Sequence, residues 1–328
     1  MVSPVSQVPS TRIKGLMNTF DNFYTNHAAE NPTRAVIMKL MEVVASKNNA
    51  RDETFNMLGD PPPFERWDED APRYFGTIGD QSWTVPVLKW QNGVKWKRID
   101  EEDDLTGRLK PSLSAAARKA ALLEVDIFFQ LLQSSVNGRL LPGIPTCADG
   151  LPLFSASRTL MSSGGNIVPG SGVRSIHQIQ ADFYEVLMLL QGVRDTHGDY
   201  YWSEGEVDGP KIVFASTANR QRFCEAFEQK TMPSMGAGVE NVLVANSNVT
   251  LVFTPRITGN SWYIGLENTP RKPIFTLTRT DVGGIEKLYK DETNSDEAEA
   301  SDTRRIVFRK RAGYGYSLPL GLVQVSNS

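Results

Sequence analysis

The sequence predicts an α+β fold, and three observations predict it. A single helical run of 26 residues, Ser112–Asn137, carries Leu113, Ala116, Ala117, Ala120, Leu123, Ile127, Leu131 and Val136 along one side, with Pro111 before it and Gly138 after it. Short apolar runs of strand type dominate the chain after residue 200. The 26 Gly and 19 Pro among 328 residues favour a loop-rich chain with β structure over a helical bundle.

The elements follow in order. Residues 1–10 are rich in Ser, Pro and Val. From Thr11 the spacing of Ile13, Leu16, Met17, Phe20 and Phe23 predicts a helix, and the stripe Val36, Ile37, Leu40, Met41 and Val44 predicts a second one over Pro32–Ser46. Gly59-Asp-Pro-Pro-Pro-Phe64 interrupts regular structure. Ser82–Ile99 reads as a β-hairpin turning at Asn92-Gly93, and it holds three of the six tryptophans. A two-stranded hairpin is marginal alone, so its aromatics must rest on the parent core or on a neighbouring subunit. Its candidate interface residues are Trp83, Val85, Val87, Trp90, Val94 and Trp96.

Asp149-Gly-Leu-Pro-Leu-Phe-Ser155 comes next, then a glycine- and serine-rich loop, Ser162–Gly172, and a helix over Ser175–Gly192. Lys211–Ala215 reads as a buried strand feeding a helix, and Val242–Phe253, Ser261–Leu266 and Ile274–Arg279 read as further strands. The run Asp291–Asp302 holds six acids and no base, which predicts an exposed tip. The basic strand Arg304–Arg311 follows it, and the strands flanking the tip form a long ribbon. Asp296 and Glu297 of the tip, with Arg304 and Arg305 of the strand, are candidate interface residues. Tyr314–Val325 is an apolar ending that must be buried.

Composition narrows the function. A net charge of −3 gives no sign of bulk nucleic-acid binding. Two cysteines exclude a disulfide scaffold and suit a reducing compartment. The N-terminus has no secretory pattern and no window spans a membrane, so a soluble chain made in a cytoplasm is expected. The three histidines, His27, His177 and His197, have no partner at zinc spacing. Cys147 or Cys224 could serve as nucleophile with a distant His, but a small core residue is the better reading of each. The five acids Asp100–Asp104 read as a solvated turn; a metal cluster there is the rival. Phosphate-loop and nucleophile-elbow motifs are absent.

Several of these pieces, in this order, resemble the major capsid proteins of tailed bacteriophages, specifically the Mu-like prophage major head subunit (gpT) family. The residues that carry the resemblance are Ile99–Gly107 before the long helix, Asp149–Ser155, Lys211–Ala215, Thr254–Tyr263 and the ending Gly313–Val325. One departure is Ser157-Arg158, where that group often has a histidine soon after Phe-Ser. The resemblance implies the tailed-phage major capsid fold, the Hong Kong phage-like fold. Residues 1–60 would be an N-terminal arm. Residues 61–139 would be the first part of a peripheral domain, with an extended loop 75–99 and a spine helix 112–137. Residues 140–260 would form an axial α/β domain, 261–312 the peripheral β-ribbon with its acidic tip, and 313–328 the end of the axial domain.

The resemblance also implies a function: a shell subunit without catalysis, cofactor or metal, found in the virion head and assembled in the bacterial host cytoplasm. Its implied partners are other copies of itself in hexamers and pentamers, packaged double-stranded DNA held by non-specific contact, a portal, a maturation protease and a scaffolding protein. No long scaffolding segment is visible at the N-terminus, so the scaffold is expected as a separate chain. The acidic tip and the basic strand could meet across a three-fold junction and steer assembly. Two alternatives from other classes are a metal-assisted hydrolase built on Asp100–Asp104 and a single-stranded nucleic-acid-binding module built on the tryptophans.

Overall fold

The structure is a computed structural model. It describes residues 11–46, 52–58, 66, 80–97, 109–133, 141, 143, 145–158, 165–195, 197–230, 241, 243–244, 248–279, 285–290 and 303–327. It holds two sheets, one long helix and a set of shorter helices. The solvated turn expected at Asp100–Asp104, with its rival reading as a metal cluster, and the acidic tip lie outside the described residues.

Helix α1, Thr11–Ala29, begins where the periodicity starts. Helix α2, Pro32–Ile37, has Pro32 at its first turn, and the Asn31 side chain accepts from the Arg34 N–H. The second helix was expected to continue to Ser46. The chain instead turns and enters strand β1, Met41–Ala45, which pairs in parallel with β8, Ile274–Thr278. Apolar residues at 40, 41 and 44 fit either period, and the open edge of β8 decides between them. Leu40 packs so closely on Gly265 that a Cβ there would sit 2.8 Å from its Cδ1. Ile37, Leu40 and Met41 of the proposed arm are therefore part of the core.

Strand β2, Asp52–Leu58, runs antiparallel to the first third of β3, Asp80–Lys97. The hairpin turn expected at Asn92-Gly93 does not form, and the extended loop is not a ribbon folded on itself at that point. Asn92 and Gly93 lie within an unbroken 18-residue strand, opposite Phe308 and Val307 of β10, Thr303–Tyr316. Asn and Gly disfavour strands by up to about 1 kcal/mol on the β-propensity scale. Burying one tryptophan removes on the order of 150–250 Å² from water, a gross gain of roughly 4–6 kcal/mol. Pairing with β10 buries Trp96 and partly covers Trp90, so tertiary pairing overrides the local turn signal.

Helix α3, Leu109–Leu132, is the predicted long helix. It begins three residues earlier than expected, with Pro111 inside its first turn, and at 1.5 Å per residue its 24 residues span about 36 Å. Strand β9, Ile285–Lys290, pairs with β10 on the side opposite β3. The expected two-stranded ribbon is thus three strands wide, β9-β10-β3, and the first sheet has the order β1-β8-β10-β3-β2 with β9 beside β10.

The second sheet has the order β4-β11-β7-β5-β6: β4, Ile167–Pro169; β11, Leu322–Ser326; β7, Trp262–Leu266; β5, Lys211–Ser216; β6, Val249–Thr254. Strand β7 sits in the middle of it, so the chain leaves this sheet after Leu266 and not at residue 260 as expected. Gly313–Tyr316 likewise still belong to the first sheet. Helix α4, Ile176–Gln191, is closed by the capping box Ser175–Gln178. A short helix α5, Glu204–Asp208, and helix α6, Arg220–Phe227, complete this part. The strand expected over Val242–Phe253 begins only at Val249. Leu243 and Val244 form a helical turn, because the Asn241 amide donates to the carbonyls of Ala226 and Gln229.

Three apolar clusters join these layers. Val213, Ala215, Trp262 and Ile264 face α4 and α6, whereas Ile212, Phe214 and Tyr263 face Phe128 and Phe129 of α3. Period-two alternation on β5 thus binds one sheet to both neighbours. The third cluster lies under the ribbon, where Phe20 of α1 stacks on Phe308 at 3.5 Å beside Trp96, Leu113, Ala117 and Ile306.

Candidate functional site

The ribbon has two chemically different faces. On β10, Ile306, Phe308 and Lys310 point toward the helices; on β3, Trp90, Val94 and Trp96 do so. Asn92 shares that face and donates to the Ala116 carbonyl of α3. The registers Arg305↔Lys95, Arg309↔Gln91 and Arg311↔Lys89 place the intervening residues together on the averted face. That face carries Lys89, Lys95, Lys97, Arg305, Arg309 and Arg311 against one described acid, Glu286 of β9. Arg309 and Glu286 form a bidentate pair at 2.8 and 2.7 Å. Lys89, Lys95 and Lys97 are exposed and have no ion-pair partner among the described residues.

The expected interface residues divide accordingly. Val85 (1% exposed) and Trp96 (7% exposed) are buried within their own chain. Trp83 packs against Phe55 and Phe275, and Trp90 meets the Tyr314 ring edge-on at 5.2 Å. Val87 and Val94 are half-buried. The tryptophans thus form no open stacking platform, which removes the basis for the single-strand-binding alternative. Asp296, Glu297 and the Arg304 side chain lie outside the described residues; Arg305 is half-buried.

A charged knot ties ribbon, long helix and N-terminal segment together. Glu124 of α3 accepts from Arg34 Nε of α2 at 2.9 Å and from Lys310 Nζ of β10. Burial pushes the Glu124 carboxyl up, but Lys310 and Arg34 outweigh it and hold the group below the ordinary carboxylate range. Burial alone would lower Lys310; Tyr314 and Glu124 reverse this and raise it. Beside the knot a half-open groove of about 560 Å³ separates β3 from α3, lined by Trp90, Leu123 and Phe308 with Lys89, Lys119 and Asp126.

A second polar knot explains the Asp149–Ser155 motif. The Asp149 carboxylate accepts from the Leu151 N–H and from Arg158, while Gly150, at φ +77°, allows the turn. Arg158 is 1% exposed and also donates to the Pro152 carbonyl at 2.6 Å. Asn166 bridges this loop to β11 through the Leu153 and Leu322 carbonyls. Arg158 is not among the site residues expected from the sequence. A lone base nine residues after an Asp-Gly turn was the available signal.

The Cys147 thiol is buried and pushed up to about 12 by desolvation, so it is protonated and inert at neutral pH. Burial, then Glu228, raises Cys224 as well. Among the described residues no group of three or more His, Cys, Asp or Glu could hold a metal, and no helix is long and apolar enough to cross a membrane.

The geometry matches known shells. A virus-like particle from Pyrococcus furiosus aligns over 97% of this chain and 100% of its own, with a TM-score of 0.54 at 11% identity. The capsid of a native GTA particle aligns over 90% of each chain, again with a TM-score of 0.54 and 11% identity. These likenesses establish the Hong Kong phage-like capsid fold. By sequence, the Mu-like prophage FluMu major head subunit of Haemophilus influenzae is 26% identical over 179 residues, 54% of this chain, and the chain spans about half the length of that relative. The family described as Mu-like prophage major head subunit gpT matches residues 13–184, just over half of the sequence, and the chain belongs to that family.

Proposed function

We propose that the protein is a major head subunit whose copies tile into hexamers and pentamers of an icosahedral shell around double-stranded DNA, and that it performs no catalysis. The observation that carries this reading is the ribbon. Its strands run up to 18 residues, one side lies on α1 and α3, and among the described residues nothing covers the other side. Beyond Val87 no strand among the described residues pairs with the outer edge of β3, and such an edge is protected or satisfied by another chain. Contacts of this kind are heterologous: one patch meets a different patch on the next copy, and rings result when the rotation closes.

In this reading the protein resides in the virion head after assembly in the bacterial host cytoplasm. Its partners are sibling subunits, a separate scaffolding protein, a portal, a maturation protease and the packaged DNA. Residues 1–31 act as the arm, β2 with the first third of β3 as the extended loop, α3 as the spine, and the second sheet with α4 and α6 as the axial domain. Expression of the full chain, followed by sedimentation and negative-stain electron microscopy, tests the proposal. Rings, tubes or closed particles are expected. A chain that stays monomeric at concentrations well above those of the cell overturns it.

A further inference from the structure

We infer that the groove between β3 and α3 receives the Tyr200 turn of a second copy. This deepens the shell reading and rests on it. The groove has an apolar floor of Trp90, Leu123 and Phe308 and a volume of about 560 Å³, within the range of roughly 300–1,000 Å³ in which pockets enclose their occupants. Two of its lining charges are already neutralised, Lys310 by Glu124 and Asp126 by Arg256. Lys89 and Lys119 on its rim are exposed and have no ion-pair partner among the described residues. The groove therefore suits an apolar side chain with carboxylates beside it.

The turn after α4 offers that combination. Tyr200 is 65% exposed, the most exposed large apolar side chain among the described residues. Its backbone is fixed in advance: it bridges to Arg194, the Asp195 carboxylate accepts from the His197 and Asp199 N–H groups, and Gly198 takes φ +92°. The Arg194 guanidinium lies over one face of the ring, 3.7 Å from its centroid, and the other face is left for a partner. A ring held this way gives up little freedom on docking, and buried tyrosines are frequent anchors of interfaces. Residues 194–208 carry five acids and one base, a net of four negative charges against the two free lysines of the groove. The other exposed large apolar side chains lie on the flank of α4 (Tyr184, Met188) or within strands (Val43, Leu288). A turn can enter a groove that a helix flank or a paired strand can only cover. The turn of the same chain does not fill the groove, since Tyr200 stands in solvent and is not among the lining residues. A sibling supplies one turn per groove, and turn and groove are different patches, as a heterologous contact requires.

The experiment uses particles assembled from a ¹⁵N chain carrying Tyr200→p-benzoylphenylalanine and an excess of ¹⁴N wild-type chain, irradiated and read by mass spectrometry. Cross-links from the ¹⁵N position-200 peptide to ¹⁴N peptides holding Trp90 or Lys119–Leu123 are expected. Cross-links confined to ¹⁵N peptides place the turn on its own chain, and cross-links to any other ¹⁴N segment place it elsewhere on the sibling; either overturns the inference. The same probe at position 119 names the occupant of the groove, and cross-links from there that miss residues 193–208 overturn it as well. In parallel, Tyr200→Ala is expected to keep its circular dichroism and melting curve and to need about tenfold more protein to form particles, the size of effect expected on truncating an interface anchor. Tyr200→Phe is expected to assemble as the wild type does. Lys119→Glu is expected to lose about threefold in particle yield at low salt, where surface charges are least screened, and Asp199→Lys in the same chain is expected to restore it. Unchanged assembly of Tyr200→Ala overturns the docking site and leaves the shell reading intact. If the wild-type chain forms no particles, both readings fall.

Discussion

Replacing Glu124 with Gln should destabilise the protein by about 3 kcal/mol, because it strands Lys310 in the core while keeping the shape of the side chain. Removing one partner of a buried ion pair costs about 3–5 kcal/mol. The lower end applies here, because Arg34 is more than a quarter exposed and water can screen its share. The pH dependence has a definite sign. Glu124 is held below its ordinary value, so its contribution is present above the unfolded carboxylate pKa and is lost as pH falls through the folded one. Lys310 is raised, so its contribution is present below the unfolded lysine value and is lost as pH climbs through the folded one. The stability difference between wild type and Glu124→Gln should therefore stay flat from about pH 5 to pH 10 and shrink below about pH 4.5. Urea unfolding followed by tryptophan fluorescence, with Trp90 and Trp96 as nearby reporters, reads the difference directly. Replacing Glu124 and Lys310 together with Met should recover most of the loss, since an apolar pair of similar volume can match a buried ion pair. A Glu124→Gln loss below about 0.5 kcal/mol, the size expected of a surface pair, would refute the reasoning.

Arg158→Ala should cost about 3 kcal/mol, because it leaves Asp149 without its buried counter-charge and the Pro152 carbonyl without its donor; faster hydrogen exchange at Cys147 and Gly150, whose N–H groups bond within that turn, should accompany the loss. Gly315→Ala places a Cβ 2.7 Å from Phe275 and 3.1 Å from Val85, a clash worth about 1–3 kcal/mol that Phe275→Leu should partly relieve. Tyr316→Phe removes the 2.7 Å bond from its hydroxyl to the Leu131 carbonyl and should cost about 1 kcal/mol by chemical denaturation. Cys147 should resist thiol reagents at neutral pH until the chain unfolds; rapid labelling of the native protein would contradict its burial.

Where local chemistry and tertiary pairing agree, the residues announce the fold directly. The Ser175–Gln178 capping box starts α4 within one residue of its expected place, and the apolar run Lys211–Ala215 is the buried strand it resembles. Where they conflict, pairing wins. Asn92-Gly93 carries a strong turn signal, yet β10 lies alongside from Thr303 to Gly313 and the Asn92 amide finds a carbonyl on α3. Met41 and Val44 lie in a helical stripe, yet the edge of β8 draws them into a strand. The averted cationic face was legible only in part: Arg304–Arg311 stood out as a basic strand, but nothing local reveals that Lys89, Lys95 and Lys97 stand beside it. That requires the β3–β10 register, which joins residues more than 200 positions apart. Arg158 stands in the sequence only as a departure from the family pattern, because two of its four partners are the Pro152 and Leu153 backbone carbonyls, which leave no trace in composition.

Strand β10 is shared property. Its first half is the middle rail of the ribbon, and its last residues pair with β8 and anchor Tyr316 to the end of α3. It has no joint along its 14 residues and is held at both ends, by Phe20 and Leu113 around Ile306 and Phe308 and by the Leu131 carbonyl at Tyr316, so a pull on either end is shared by both clusters.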